Sequence, residues 1–322
     1  MIDKNVVQKD FNCVNDFSRV NDFLIETYRL YNKLHNWDIA RWTFNRYCIH
    51  GPEEIANSRP WENHVQIWEA GNRNIVGIAH IEEPGDYFFQ VHPHYTYLEE
   101  DMLKWAINDT KDKLSLTAFS SDMNRKILYE KYHAIKHEST DSAKVLTLDK
   151  ELIPVSLPDQ FEIISLDSED KESCEKLSNL YTCIWPTSRY MPDGETVNSL
   201  TASPIYRKDL TFIARESSGC FAAYCMVWLD SNNRVGHFYP IGTDPDYLGL
   251  NLNQAIMVSA INALKTYNCK EAIICGYYEP DDVELFKRLG FQESECEEYF
   301  EIWCDNIKRD ENNPPFRWVV SI

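Results

Sequence analysis

Several signatures of common protein classes are missing from these 322 residues. No run of about twenty apolar residues occurs and the N-terminus does not resemble a signal peptide, so the sequence predicts no membrane segment and a cytoplasmic location. No Walker loop, dinucleotide-binding glycine pattern or Ser–His–Asp arrangement is present. The ten cysteines include no Cys-x-x-Cys pair, which favours buried free thiols in a reducing compartment over disulfides or zinc ligation.

Positive charge is also scarce. The chain has 51 Asp and Glu against 32 Lys and Arg, and residues 151–322 alone have 28 against 14. This surplus of acid argues against nucleic acid or an anionic membrane as a partner. It would attract a cationic amine, although an acidic surface that only keeps the protein dissolved explains it as well.

A metal site is not predicted. His92 and His94 form one close pair, and His133 and His137 form another. Neither pair has further Cys or carboxylate ligands at the spacing of a metal site, so solvated loop histidines are the simpler interpretation.

The order of elements indicates two related domains. A chain of this length with 43% hydrophobic residues can build two ordinary cores. Residues 150–159 contain two prolines and have the composition of a linker. A similar order of helix, strands, helix, strand, helix and strand precedes and follows it, which predicts a duplication with domains at 1–150 and 151–322.

The most informative stretch is Arg234–Tyr267. An apolar strand passes through Gly242-Thr243-Asp244-Pro245 into a polar loop, which opens onto a helix with apolar residues at three-and-four spacing. The first N–H groups of a helix have no partner inside the helix, so this helix start is suited to an anion such as a pyrophosphate.

Strand, Thr-x-Pro-x-Tyr, glycine-bearing loop and helix resemble the acyl-CoA site of the GNAT family of N-acetyltransferases. Leu289-Gly290-Phe291 is similar to the ending of the family's last helix. The resemblance implies an α+β fold of two GNAT-like domains, each a mixed, mostly antiparallel sheet flanked by helices. It also implies acetyl-CoA as co-substrate, a small-molecule or peptide amine as acceptor, and a site in the second domain. The residues placed at the cofactor by this resemblance are Ile241, Gly242, Thr243, Leu248, Gly249, Leu250, Asn251, Leu252, Asn253 and Phe286.

The sequence departs from the family pattern at important positions. Leu248, Asn251 and Asn253 stand where the family has Gln or Arg, Gly, and Gly or Ala, and Phe286 replaces the tyrosine that protonates the leaving thiolate. Two functions therefore stay open. One is an acetyltransferase that works by direct attack of the amine, and the other is a catalytically inactive relative that binds acyl-CoA or another small ligand, or acts as a scaffold.

Candidates for proton transfer are few. His237 lies on the strand before the loop and is the only histidine of the second half, so it is the first candidate for the base, with Asp244 in reserve. A lone histidine on a strand is more often structural. Tyr277 and Tyr278 follow the next strand and could supply the acid, although core or rim packing is the commoner role of a tyrosine. The sequence does not indicate the oligomeric state.

Overall fold

The structure is a computed structural model, and it describes residues 5–49, 61–82, 85–110, 113–149, 151, 153–188, 190–191, 193–276 and 279–303. The predicted loop Gly51–Pro60 lies outside these residues. The described α-helices are α1 (Cys13–Tyr31), α2 (Ile39–Phe44), α3 (Glu99–Asp109), α4 (Met123–Lys131), α5 (Lys171–Ile184), α6 (Gly194–Thr201), α7 (Leu252–Thr266) and α8 (Pro280–Arg288).

The described strands are β1 (Val7–Asp10), β2 (Val65–Ala70), β3 (Asn74–Ile81), β4 (Asp86–Val91), β5 (Lys113–Phe119), β6 (Ile135–Thr147), β7 (Phe161–Ile164), β8 (Thr211–Glu216), β9 (Phe221–Asp230), β10 (Val235–Thr243), β11 (Glu271–Ile274) and β12 (Gln292–Trp303). Within the described residues, no helix is both long enough and apolar enough to cross a bilayer.

The chain forms two compact units, and both are discontinuous in sequence. Unit 1 contains the described parts of Met1–Asp38, Asn57–Ser142 and Glu295–Trp318. Unit 2 contains those of Ile39–Ala56, Ala143–Ser294 and Val319–Ile322. The short helix α2 thus belongs to unit 2, and most of β12 belongs to unit 1. The boundary after residue 150 stays a prediction about independent domains.

Unit 1 is built on a mixed sheet. Its strands run in the order β1-β2-β3-β4-β5-β12, and only the pair β4 and β5 is parallel. One face carries an apolar cluster that includes Met102 and Leu103 of α3 and Leu116 of β5. Alternating apolar residues on the strands and three-and-four spacing on the helix explain this layering.

Unit 2 repeats the arrangement. Residues 144–147 of β6 and the strands β11, β10, β9, β8 and β7 follow one another, and only β10 and β11 are parallel. The helix α7 packs on β8, β9 and β10, and its buried residues Ile256, Ala260 and Leu264 enter an apolar cluster with Phe238. The sheet and α7 together position the loop between β10 and α7.

Side-chain caps decide where several helices begin. The sequence predicts that Asp122 caps the helix that follows it, and Asp122 indeed accepts a hydrogen bond from the Arg125 N–H. Asp170 caps α5 in the same way. The sequence also favours Asp16 as the cap of the first helix, and this prediction is wrong. Asn12 caps α1, and Asp16 lies inside the first turn, fully buried.

Candidate active site

The two parallel strands of unit 2 stay paired along only part of their length. They pair from Val235 opposite Glu271 to Phe238 opposite Ile274. β10 then continues to Thr243 along β9, whereas β11 ends. Within the described part of the chain, the last residues of β10 therefore pair on one side only, and the other side presents backbone groups that a ligand can use.

A register shift between Phe238 and Ile241 changes which side chains of β10 share a face. Strict alternation predicts that His237, Tyr239 and Ile241 lie on one face, and this is wrong for Ile241. Ile241 packs with Phe238 in the apolar cluster beneath α7. One extra residue in the strand reverses the alternation, so Gly242 takes the face of Tyr239 instead.

Gly242 faces the C-terminal end of α5. A Cβ built on it would lie 2.9 Å from atoms of Ile184 and Trp185. These two side chains fill the space that any larger residue would need, so the position requires glycine.

The loop between β10 and α7 contains two residues in the left-handed region. Gly249 has a φ of 85° and Asn251 has a φ of 58°. Asparagine adopts this region more readily than other residues with a side chain, so Asn251 keeps the backbone shape for which the resembled family uses glycine. Leu248 and Leu250 are 65% and 38% exposed. The loop thus presents apolar side chains to solvent, which a bound ligand would cover.

The start of α7 offers a small set of hydrogen-bond donors. The N–H of Leu250 donates to Tyr247, and the N–H of Gln254 donates to the side chain of Asn253 at 2.8 Å. Within the described residues, the N–H groups of Asn251, Leu252 and Asn253 have no hydrogen-bond partner. Three donors at the positive end of a helix dipole form a group that can bind a phosphate.

A groove of about 450 Å³ begins at this helix start. The linker supplies one wall and the first turns of α7 supply the other. Its lining residues are Pro154, Ser156, Leu157, Pro158, Leu250, Asn251, Gln254, Ala255 and Val258. The mixture of apolar side chains with two amides is typical of small-molecule grooves, and the volume falls in their usual range of roughly 300–1,000 Å³.

A carboxyl group lies beside the helix start. The side chain of Asn253 also forms a hydrogen bond with Asp282 of α8. Asp282 is half-buried. Its burial, together with the negative charges of the nearby Asp281 and Glu279, raises the pKa of the Asp282 carboxyl above its ordinary value. When ionised, Asp282 places a negative charge next to the three donors.

No cation compensates for this charge from α7 itself. Lys265 is near the other end of the helix, roughly 20 Å away at 1.5 Å per residue. Its ammonium group binds Asp149 at 2.9 Å and also the carbonyl of Glu151. These contacts hold the ammonium group of Lys265 away from the start of α7.

Phe286 lies inside the core of unit 2. It is 2% exposed and packs against Phe291 with ring centroids 6.1 Å apart. Phe286 therefore has a packing role that the sequence did not reveal. Its ring has no hydroxyl group and so no proton to transfer. Its place as a residue that lines the cofactor stays a prediction.

His237 is on the paired part of β10, opposite Trp228 on β9 and Ile273 on β11. It is 4% exposed. Its role as the base stays a prediction. Tyr277 and Tyr278, the two candidates for the acid, lie outside the described residues. Within the described part of the chain, no cluster of His, Cys, Asp and Glu could hold a metal ion.

The sequence reasoning missed a group of phenols on the face of Gly242. Tyr224 is paired with Gly242 across the sheet, and Tyr181 of α5 and Tyr239 of β10 are its neighbours. Arg41 of α2 donates to the Tyr239 hydroxyl at 3.4 Å. No local pattern predicts this group, because α2 precedes β10 by about two hundred residues in the chain.

In unit 1, side chains of the protein itself fill the gap where the parallel strands β4 and β5 separate. β4 and β5 pair only at Asp86 opposite Ser115 and Tyr87 opposite Leu116. Beyond these pairs, the guanidinium of Arg125 donates to the carbonyl of β4 residue 89 at 3.2 Å. The Arg125 side chain is 1% exposed.

Two further contacts complete this filling. Arg125 binds Glu99 in the first turn of α3 at 2.6 Å, so a carboxylate of the chain takes the helix end where a phosphate would bind. The Tyr129 hydroxyl donates to the carbonyl of Thr117 on β5 at 3.0 Å. The ion pair and the phenol occupy the space between the two strands of unit 1.

Comparison with known proteins adds a family match. Residues 174–291 match the sequence model of the Acetyltransferase (GNAT) family. The match extends over β10, α7, β11 and α8. Among curated proteins, a mycothiol acetyltransferase from Saccharomonospora viridis is 22% identical over 251 residues, which cover 71% of this chain and 80% of that protein.

Solved structures resemble the whole chain. A GCN5-related N-acetyltransferase from Sphaerobacter thermophilus has a TM-score of 0.57 at 12% identity, over 94% of this chain and 97% of that one. A tandem GNAT protein from the clavulanic acid biosynthesis pathway has a TM-score of 0.63 at 11% identity, over 94% and 100%. These likenesses confirm the predicted α+β fold class.

Proposed function

From the GNAT-family domain at residues 174–291, we propose that this protein transfers an acetyl group from acetyl-CoA to an amine, and that unit 2 holds the site. The observation that carries the proposal is the divergence of β10 and β11, which leads to the donors at the start of α7. Among the described residues of unit 1, Arg125 and Tyr129 occupy the corresponding space.

The residues present fit a CoA molecule in most respects. The N–H groups of Asn251, Leu252 and Asn253 would meet the pyrophosphate, and the groove beside the linker would take part of the nucleotide. Leu248 and Leu250 would pack on the ligand. The carboxyl at position 282 opposes the fit, because it repels phosphate when it is ionised.

The proposed reaction forms an amide directly. The amine nitrogen attacks the acetyl carbon, the carbon–sulfur bond breaks, the amine loses a proton and the thiolate takes one up. Backbone groups of Ile241, Gly242 and Thr243 would polarise the thioester oxygen. His237 would accept the amine proton, with Asp244 in reserve. Solvent, Tyr277 or Tyr278 would protonate the thiolate.

The acceptor is proposed only as an amine. The acidic composition of residues 151–322 would draw a cationic amine toward the protein. Acetyl-CoA is proposed as the acyl donor because the family match and the curated relative are acetyltransferases by description.

A second candidate function is binding of acyl-CoA without turnover. The specific observation in its favour is the buried Phe286, which cannot protonate a thiolate, together with the charge of Asp282 beside the donors. Such a protein would sense or store acyl-CoA.

One experiment separates the two functions. Acetyl-CoA and free CoA are titrated into the protein by calorimetry, and thiol release is then followed with a panel of amines. Binding with amine-dependent thiol release supports the transferase, and binding without release supports the acyl-CoA binder. If neither ligand binds at millimolar concentration, both functions are wrong.

A further inference from the structure

The strongest unexplained feature of unit 2 is the hydroxyl group of Tyr224. The side chain is 0% exposed, and within the described residues its hydroxyl has no hydrogen-bond partner. Buried polar groups are nearly always paired, since leaving one unpaired is unfavourable. A tyrosine that needed only to fill space could be phenylalanine. The unpaired hydroxyl indicates a partner that the protein chain does not supply.

The position of Tyr224 connects it with the proposed site. Tyr224 pairs with Gly242 in the register of β9 and β10, and Gly242 directly follows Ile241 on β10. Its ring contacts Trp185 edge-on, with centroids 6.1 Å apart, and Trp185 also covers Gly242. Trp185 thus contacts both residues, and Tyr224 lies beside the β10 backbone that is proposed to polarise the thioester.

The surroundings of Tyr224 favour an anionic partner. Burial, with the neighbouring groups of Tyr181, Cys48 and Tyr239, holds the pKa of the Tyr224 phenol well above its ordinary value, so the hydroxyl stays a neutral donor. The charged group that acts on the neighbouring Tyr181 is the cation of Arg41.

Arg41 has the geometry to take part. Its guanidinium donates to the Tyr239 hydroxyl at 3.4 Å and lies 5.6 Å from the centre of that ring. A guanidinium has five N–H donors in a planar fork, which suits the two oxygens of a carboxylate. Phenol hydroxyls and one guanidinium around an apolar wall form a recognition site for a carboxylate attached to an organic group.

We propose that Tyr224, with Arg41 and Tyr239, recognises a carboxylate group on the acceptor, so that the acceptor of this enzyme is an amino acid or another amine that also bears a carboxylate. The proposal rests on the proposed function, because it identifies the class of amine that the same site uses. Tyr224 determines specificity and takes no part in proton transfer.

Binding of a matched pair of probes tests the proposal without the need for turnover. Phenylacetate and phenylacetamide have nearly the same size and differ in charge. Calorimetry with the full chain, with and without CoA, should show that phenylacetate binds at least about tenfold more tightly, as one charge-assisted hydrogen bond allows. Trp185 should report the same event as a change in tryptophan fluorescence.

Three variants sharpen the test. Tyr224→Phe should weaken phenylacetate binding about tenfold, with a smaller change for phenylacetamide. Arg41→Gln should weaken phenylacetate binding as well. Tyr206→Phe is the matched control, because it removes a half-buried phenol hydroxyl elsewhere in unit 2, and it should change neither affinity by more than about twofold.

In turnover, the corresponding pair is L-phenylalanine and L-phenylalaninamide. Tyr224→Phe should raise KM for the amino acid and leave kcat nearly unchanged, since the group contributes to binding only. Equal binding of the two probes, no binding of either, or unchanged phenylacetate affinity in Tyr224→Phe would overturn the proposal. Failure of acetyl-CoA to bind would instead refute the proposed function, and the phenylacetate titration without CoA would still decide this inference.

Discussion

The carboxyl group of Asp282 offers a direct test of where CoA binds. It is half-buried, and the side chain of Asn253 at the start of α7 is its hydrogen-bond partner. If the N–H groups of that helix start hold a pyrophosphate, an ionised Asp282 repels it. Replacing Asp282 by asparagine removes the charge and keeps a side chain of the same shape that can bond to Asn253.

The expected gain follows from Coulomb's law. If a bound phosphate lay roughly 8 Å from the carboxylate, two unit charges at an effective dielectric constant of about 20 would repel by about 2 kcal/mol. Solvent at a half-buried site reduces this to about 1–2 kcal/mol. Because about 1.4 kcal/mol corresponds to a tenfold change in affinity, Asp282→Asn should tighten acetyl-CoA binding about five- to thirtyfold.

The pH dependence gives a second signature with a defined sign. The pKa of Asp282 is raised, so below that pKa the carboxyl is neutral and the repulsion is absent, and above it the repulsion is present. The ratio of the wild-type Kd to the variant Kd should therefore rise from near one below the raised pKa of Asp282 to its full value above that pKa. Titration of the phosphates of CoA affects both proteins equally and cancels from this ratio.

Isothermal titration calorimetry with acetyl-CoA at a series of pH values is the assay. Glu284→Gln is the matched control, because Glu284 is exposed and lies two residues further along α8, about 200° around the helix. It removes the same charge from the opposite face and should have little effect. An unchanged Kd in Asp282→Asn, or an equal gain in Glu284→Gln, would show that the pyrophosphate does not bind at the start of α7.

Three further predictions concern other parts of the molecule. Leu248→Arg combined with Asn251→Gly should tighten acetyl-CoA binding about tenfold in calorimetry, since an exposed arginine adds a charge-assisted bond to phosphate; unchanged affinity would count against a phosphate site in this loop. His237→Ala should lower the rate of amine-dependent thiol release at saturating acetyl-CoA and flatten its pH profile near neutrality, and an unaltered profile would exclude His237 as the base. Arg125→Met leaves Glu99 buried without its partner and should lower the free energy of unfolding by about 3–5 kcal/mol in urea titrations, while acetyl-CoA still binds at one site per chain; a second binding site or unchanged stability would contradict the role of this ion pair.

Local chemistry made part of the site predictable. Asn251 could be assigned to a left-handed position because few other residues tolerate it, and its φ of 58° agrees with this. The position of α7 followed from apolar spacing. The resemblance placed the last helix at 281–289, and α8 begins one residue earlier, with Pro280 in its first turn. The repeated order predicts a last strand, but the bounds of β12 were not predicted, since its charged residues hide the alternation of a strand that pairs with β5.

The sequence by itself determined the order of strand, loop and helix, and the presence at position 286 of a ring without a hydroxyl group. Each of these depends on residues that are close in the chain. Only the tertiary structure decided that Ile241 turns away from His237, that Asn253 bonds to Asp282, and that Arg41 donates to Tyr239, about two hundred residues further on. A register shift and contacts between distant segments are set by packing, and packing leaves no periodic signal in the sequence.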